Sequence, residues 1–252
     1  MTGGKTWTDT GLKAKYEESS TFYSSLQSIT NPNVLFAQEY YSKDNGYTWQ
    51  EMDGCVGVYA YNYTGQKELY GANKEGNVVV SYNNGDTWEI VTKDKFRSNS
   101  LSEKIYDLAY DHVNNYIYAI VRQTYSWGGI ERVYKYEINT GKCTEMEVPR
   151  DTERGFMRIK TIDVDPKSTS VVYVGCSGDY FSSSVGLVRS IDGGENWQIL
   201  TTANAGYDEW ANNQGGYEVC CIAVEPRTGE VWLASGCYGY SKINPPYKVN
   251  KK

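Results

Sequence analysis

The chain lacks several features that particular functional classes need. It has one histidine, His112, so no histidine-based metal cluster and no Ser-His-Asp arrangement can be built from it. No apolar run approaches membrane-spanning length, which argues against membrane insertion. The formal net charge is -6 and the lysines and arginines are scattered, so an electrostatic footprint for nucleic acid is missing. The functions that remain to be compared are ligand binding and catalysis by carboxyl groups.

Cysteine spacing argues against both a metal site and a disulfide framework. None of the six cysteines shows a C-x-x-C spacing, and two are adjacent, so that on a strand their side chains point to opposite faces. We expect free thiols that behave as small buried hydrophobes, in agreement with a reducing compartment. The six are Cys55, Cys143, Cys176, Cys220, Cys221 and Cys237.

Two further absences concern cofactors and targeting. No D-x-D-x-D-G calcium loop appears, so no metal or other cofactor is expected. The first residues lack the charged and apolar regions of a signal peptide, which predicts cytoplasmic synthesis or a virion component, or secretion if a leader has been removed.

What the chain does contain is an octet that recurs three times. It occurs at 42–49 (SKDNGYTW), 81–88 (SYNNGDTW) and 190–197 (SIDGGENW). Each copy has serine first, Asp or Asn two residues later, glycine two further on and tryptophan last. An Asp or Asn can accept hydrogen bonds from its own downstream amides, and glycine supplies a positive φ. The octet therefore predicts a β-hairpin turn followed by a tryptophan that packs between sheets.

The octet resembles the motif S-x-D-x-G-x-x-W of the Asp-box, or bacterial neuraminidase repeat, family. Members of that family are β-propellers in which the box joins the third and fourth strands of a blade, and they include sialidases and xyloglucanase-like glycosidases. The resemblance implies a sialidase-like propeller fold and leaves the activity open. It also implies a structural role for the box residues Ser42, Asp44, Gly46, Trp49, Ser81, Asn83, Gly85, Trp88, Ser190, Asp192, Gly194 and Trp197.

The spacing of the boxes predicts the number of blades. Trp7, Trp49 and Trp88 are 42 and 39 residues apart, and the longer interval to Trp197 holds a degenerate turn at 136–143. Repeats of this length are typical of four-stranded blades. We expect a single domain over residues 1–252, with blades at about 24–52, 56–91, 105–148, 159–200 and 219–243, the last completed by residues 4–12.

The two chain ends account for the last blade. The C-terminal section predicts strands at 219–224, 231–235 and 239–243 and then stops, while residues 4–12 predict a lone outer strand. The fold class expected is all-β: a five-bladed β-propeller of four-stranded antiparallel blades, closed by the N-terminal outer strand joining the C-terminal three strands. The alternative is a fragment of a larger propeller.

Long loops rich in aromatic residues are predicted at the face opposite the boxes. They are the segments 122–129, 177–184 and the connection around 207–210. Aromatic rings beside small polar and acidic residues suit a sugar, whose C–H face stacks on a ring, and they also suit a protein surface. The candidate ligand-binding residues are Arg122, Tyr125, Trp127, Asp179, Tyr180, Phe181, Tyr207, Asp208, Glu209 and Trp210.

These features favour a non-catalytic module that binds a glycan or protein surface. A glycoside hydrolase of sialidase-like fold is an alternative, but no spacing selects a carboxylate pair, and the nearest segment to a sialidase R-I-P motif, at 158–160, lacks the proline. No catalytic residue is therefore assigned. A second alternative is a structural subunit or adhesin of a larger assembly, such as a phage particle.

Overall fold

The computed structural model is built from β-strands. It describes residues 12, 25–27, 31–64, 67–92, 96, 102–126, 128–149, 158–177, 186–200, 219–235 and 239–243. These form five antiparallel sheets, four of four strands and one of three. Within these ranges no helix is long and apolar enough to span a membrane.

The strands of each sheet follow one another in chain order. Sheet 1 consists of β1 (Ser25–Gln27), β2 (Leu35–Ala37), β3 (Tyr40–Ser42) and β4 (Gln50–Glu51). Sheet 2 consists of β5 (Gly57–Tyr61), β6 (Leu69–Ala72), β7 (Val78–Ser81) and β8 (Glu89–Ile90). Sheet 3 consists of β9 (Ser102–Asp111), β10 (Tyr116–Tyr125), β11 (Gly128–Glu137) and β12 (Lys142–Met146). Sheet 4 consists of β13 (Arg158–Val164), β14 (Val172–Ser177), β15 (Leu187–Ser190) and β16 (Gln198–Leu200). Sheet 5 consists of β17 (Cys221–Val224), β18 (Val231–Ser235) and β19 (Gly239–Ile243).

Apolar side chains on the sheet faces hold consecutive sheets together. Successive strand residues point to opposite faces, so β10 sends Ile117 and Val121 into a cluster shared with sheet 2, and Tyr118 and Ile120 into a cluster shared with sheet 4. Two further clusters join sheets 1 and 2 and sheets 4 and 5. The first strands of successive sheets also contact one another, β1 with β5, β5 with β9, β9 with β13 and β13 with β17. The sheets are thus stacked face to face in chain order, as in a propeller.

Antiparallel order gives every sheet two distinct ends. The turns between the first and second strands lie at the same end as the turns between the third and fourth, and these include the three octets. We call this end of each sheet the box end. The turns between the second and third strands, and the connections from one sheet to the next, lie at the opposite end.

The predicted long loop at 122–129 is instead a continuation of two strands. β10 runs to Tyr125 and β11 begins at Gly128, and Arg122 pairs with Glu131 across the ladder. Gly129 allows this close pairing, because a Cβ built on it would lie 2.5 Å from Arg122 Nε. The prediction of a loop was wrong. The β10–β11 ladder is longer than the ladders of the other sheets, and its far end consists of polar residues such as those found in loops.

Sheet 5 is buried on one face and exposed on the other. Its Ile222 and Leu233 are buried against sheet 4, whereas on the other face Ala223 and Ala234 are exposed and Trp232 is 42% exposed. Residues 4–12, which the sequence predicts as its fourth strand, lie outside the described residues.

The expectation that all the cysteines are buried is wrong for the two that lie next to the exposed face of sheet 5. All five that the structure describes are free thiols; Cys55 and Cys176 are buried as expected, but Cys220 and Cys221 are exposed. Both lie at the start of β17, where the chain enters the uncovered face. Cys237 lies outside the described residues.

Candidate binding site

The three boxes are turns whose polar groups bond to one another. In the first box, Ser42 Oγ donates to Asp44 Oδ1 over 2.7 Å and accepts the Gly46 N–H over 2.8 Å. Asp44 Oδ1 also accepts the Thr48 N–H over 2.8 Å, and the Trp49 indole donates to the Gly46 carbonyl over 3.0 Å. The second and third boxes repeat the serine and Asp or Asn bonds at similar lengths.

These bonds explain both the residue types and the electrostatics of the boxes. The glycines at the fifth position have φ between +88° and +90°, which an L side chain rarely adopts. Hydrogen bonds from Thr48 lower the pKa of Asp44 to about 2, and bonds from Asn196 lower that of Asp192 to about 2. The two carboxylates thus accept hydrogen bonds from groups of their own turns.

The opposite end of sheets 1 and 2 contains an open cavity of about 380 Å³. Its wall on one side is the connection 51–56 between the sheets, and on the other the β6–β7 turn at 73–75. Asn73 Oδ1 shapes that turn by accepting the N–H groups of Glu75 and Asn77. The lining is part polar and part apolar, and its exposed polar side chains are Glu51, Asp53, Lys74 and Glu75, so the charges at the cavity are predominantly acidic.

The extended hairpin of sheet 3 carries the two predicted site residues that the structure describes. Arg122 donates from Nη1 to Tyr106 Oη over 2.6 Å, and its Nε lies 3.7 Å from Glu131 Oε1. Tyr125 is half-buried and donates to Gln123 Oε1 over 3.2 Å. Both side chains therefore stabilise the hairpin.

The remaining candidate residues fall outside the described part of the chain. They are Trp127, Asp179, Tyr180, Phe181, Tyr207, Asp208, Glu209 and Trp210. Their assignment stays a prediction. Of the described candidates, Arg122 and Tyr125 lie on the same strand but bond to different partners.

Two carboxyl groups on the first strands join neighbouring sheets. Asp107 of β9 accepts the Ile162 N–H of sheet 4 over 3.0 Å, and Asp163 of β13 accepts the Val224 N–H of sheet 5 over 2.9 Å. Burial raises the pKa of each carboxyl group to about 7, while the backbone bonds act in the opposite direction. We call these two contacts the carboxyl clips.

Sequence reasoning missed both the cavity and the clips. An acid in the middle of an otherwise apolar strand, as in I-Y-D-L-A at 105–109 and T-I-D-V at 161–164, is the signal that could have identified the clips. The cavity had no such signal, because it depends on how the turn of sheet 2 approaches the connection from sheet 1. No group of three or more His, Cys, Asp or Glu within the described residues could hold a metal ion.

Comparisons with known proteins agree with this architecture. The BNR/Asp-box repeat family matches residues 40–51, which contain the first box. The GH74 xyloglucanase from Xanthomonas campestris is 17% identical with a TM-score of 0.59, over 86% of this chain and 36% of its own. The Niastella koreensis GH74 enzyme is 19% identical with a TM-score of 0.52, over 84% and 35%. The extracellular domain of a putative hybrid two component system from B. thetaiotaomicron is 12% identical with a TM-score of 0.54, over 90% and 28%.

The chain spans about a third of the length of these solved proteins. At such identities the likeness concerns the fold. A comparison with curated protein sequences gives no match. The chain thus contains a BNR/Asp-box repeat at residues 40–51, and its stacked sheets form a propeller-like fold.

Proposed function

We propose that the chain is a non-catalytic propeller module that binds glycan or protein surfaces at the end opposite the Asp-boxes. The observation that carries the proposal is the open cavity at that end of sheets 1 and 2, whose lining is part polar and part apolar. Its volume suits one sugar unit or one long side chain of a protein partner. At the box end, by contrast, the serine and the Asp or Asn side chains of each box bond within their own turn.

The carboxyl groups favour binding over hydrolysis. A glycosidase needs two carboxyl groups about 5 to 10 Å apart, one of them with a raised pKa, both directed at the same bond. The described carboxyl groups with a raised pKa are those of the clips, which are occupied by backbone N–H groups. Glycoside hydrolysis remains the alternative because two of the similar folds are GH74 enzymes.

The proposal includes a closed ring of five blades. The three strands of sheet 5 and its exposed face, with Trp232 42% exposed, would be completed by residues 4–12 and by packing against sheet 1. Removing residues 1–12 is then expected to lower the unfolding midpoint, measured by circular dichroism. An unchanged midpoint would contradict this closure.

The function is tested by glycan-array and pull-down binding with two matched variants. Glu75→Ala removes a carboxylate from the cavity lining, and Glu195→Ala removes an equally exposed one from the third box. Loss of a charged hydrogen bond should weaken the bound ligand at least about tenfold in Glu75→Ala and leave Glu195→Ala unchanged.

Three results would count against the proposal. If both variants bound the ligand equally weakly, the cavity would not be its binding site. Release of reducing sugar from xyloglucan or another glycan would establish hydrolysis instead. Stable co-purification within a large particle, without ligand binding by the isolated chain, would favour a structural subunit.

A further inference from the structure

The junction between sheets 2 and 3 forms a second polar surface, at the box end. Leu69 pairs with Ser81 in the β6–β7 ladder, so Glu68 and Tyr82 lie side by side just beyond the paired strands. Both share the face of sheet 2 that carries Tyr70 and Val80 towards sheet 3. The two side chains therefore stand at the mouth of the inter-sheet contact.

Hydrogen bonds hold Glu68 in a fixed position at this junction. Its Oε2 atom accepts from Asn62 Nδ2 over 2.8 Å and from the Tyr70 hydroxyl over 3.4 Å. The Tyr70 ring lies against Tyr110 of sheet 3, with centroids 4.2 Å apart. Both bonds use Oε2, which leaves Oε1 without a donor among the described residues.

Sheet 3 contributes amide groups to the same surface. The Tyr110 hydroxyl donates to Asn115 Oδ1, and Asn115 Nδ2 donates to Asn139 Oδ1 over 3.3 Å. Asn139 is exposed, and its own Nδ2 makes no hydrogen bond within the described residues. A fixed acceptor and an unused donor thus belong to one connected network.

Tyr82 adds an accessible aromatic ring beside this network. It is 54% exposed, and its pKa is raised first by partial burial and then by the charges of Glu68 and Glu89. Tyr82 is the second residue of the second box, so the bonds that close the box do not use its side chain. Tyr47 of the first box is still more exposed, at 82%, but has no comparable network beside it.

We propose that this junction binds a neutral saccharide, with a pyranose ring stacked on Tyr82 and its hydroxyl groups bonded to Glu68 and Asn139. A pyranose presents a C–H face to an aromatic ring and hydroxyl groups to carboxylate and amide partners. The two carboxylates near Tyr82 repel sugar acids, so sialic and uronic acids are excluded. The site is separate from the cavity at the opposite end.

Isothermal titration calorimetry and ligand-observed NMR test the proposal on the whole chain. The probes are xyloglucan, cello- and galacto-oligosaccharides, with sialyllactose and oligogalacturonate as acidic comparators. Neutral probes should bind, and Tyr82→Ala should weaken that binding about tenfold, which corresponds to about 1.4 kcal/mol, because it removes the aromatic stacking surface. Tyr82→Phe should retain it, and Glu68→Gln should weaken it.

Two controls separate this site from other surfaces. Tyr47→Ala removes an exposed box tyrosine without touching the network, and Glu195→Ala removes an exposed carboxylate from the third box; neither should alter binding of the neutral probes. The proposal is overturned if no neutral probe binds, if acidic probes bind more tightly, or if Tyr82→Ala binds like the wild type. Loss of binding in Glu75→Ala but not in Tyr82→Ala would place the ligand in the cavity and overturn only this second site.

Discussion

Two kinds of sheet junction differ at the box end. Between sheets 1 and 2 the second box closes onto its neighbour, since a Cβ on Gly85 would lie 2.8 Å from Phe36. Between sheets 3 and 4 the third box does the same, with Gly194 against Met146. Between sheets 2 and 3 the degenerate turn at 138–141 has no such glycine, and Cys143 stands where a box has tryptophan. Closure of a junction therefore depends on a complete box, and the incomplete one leaves Tyr82 accessible.

The largest expected effect comes from filling a closed junction. Gly85→Ala would combine a φ of +90° with a contact onto the buried Phe36, so the free energy of unfolding should fall by about 2 to 5 kcal/mol. Gly141→Ala in the degenerate turn, where φ is +71°, is the control and should cost only about 1 kcal/mol. Urea denaturation measures both, and equal losses would mean that φ strain alone sets the effect.

The carboxyl clips should make stability depend on pH near neutrality. Their pKa of about 7 lies above the unfolded value of 3.8, so the folded state holds more protons between these limits. The contribution of the clips to the free energy of unfolding is therefore fully present below about pH 4 and is lost as the pH rises through 7.

Replacing one clip carboxyl group should flatten this dependence. Asp163→Asn keeps an oxygen acceptor for the Val224 N–H and removes the titration, so its melting temperature at pH 8 should exceed that of the wild type by about 3 °C or more. The advantage should shrink at pH 5. A variant that melts below the wild type at both values would show that the carboxylate is stabilising when charged.

The boxes should show the opposite and smallest pH response. Their Asp44 and Asp192 have pKa values of about 2, below the unfolded 3.8, so their contribution is present above pH 4 and is lost as the pH falls through 2. The second box has Asn83 in this position and should not respond. Asp44→Asn is therefore expected to keep the turn and reduce acid sensitivity slightly, measured by melting between pH 2 and 5. If Asp44→Asn lost stability at low pH as much as the wild type does, groups other than Asp44 would cause the acid sensitivity.

The sequence predicted what local chemistry determines. The box turns follow from Ser, Asp or Asn and Gly at fixed spacing, and β18 and β19 have the bounds expected from their apolar residues. The prediction of a loop at 122–129 was wrong, because the β10–β11 ladder continues beyond the apolar residues that mark a strand. The contacts at the clips and at the Tyr82 junction join residues forty or more positions apart in sequence. An acid within an apolar strand marks a clip, but the residue that each acid meets depends on how the sheets stack.

The thiol exposure described for sheet 5 has a practical consequence for labelling. Among the five described cysteines, a maleimide dye should react first with Cys220 and Cys221, since Cys55 and Cys176 are enclosed in apolar surroundings. A fluorophore attached there would lie away from the apolar cluster that sheet 5 shares with sheet 4. Energy transfer from such a label to a second dye on the N-terminal segment would report how closely the two ends of the chain approach in solution.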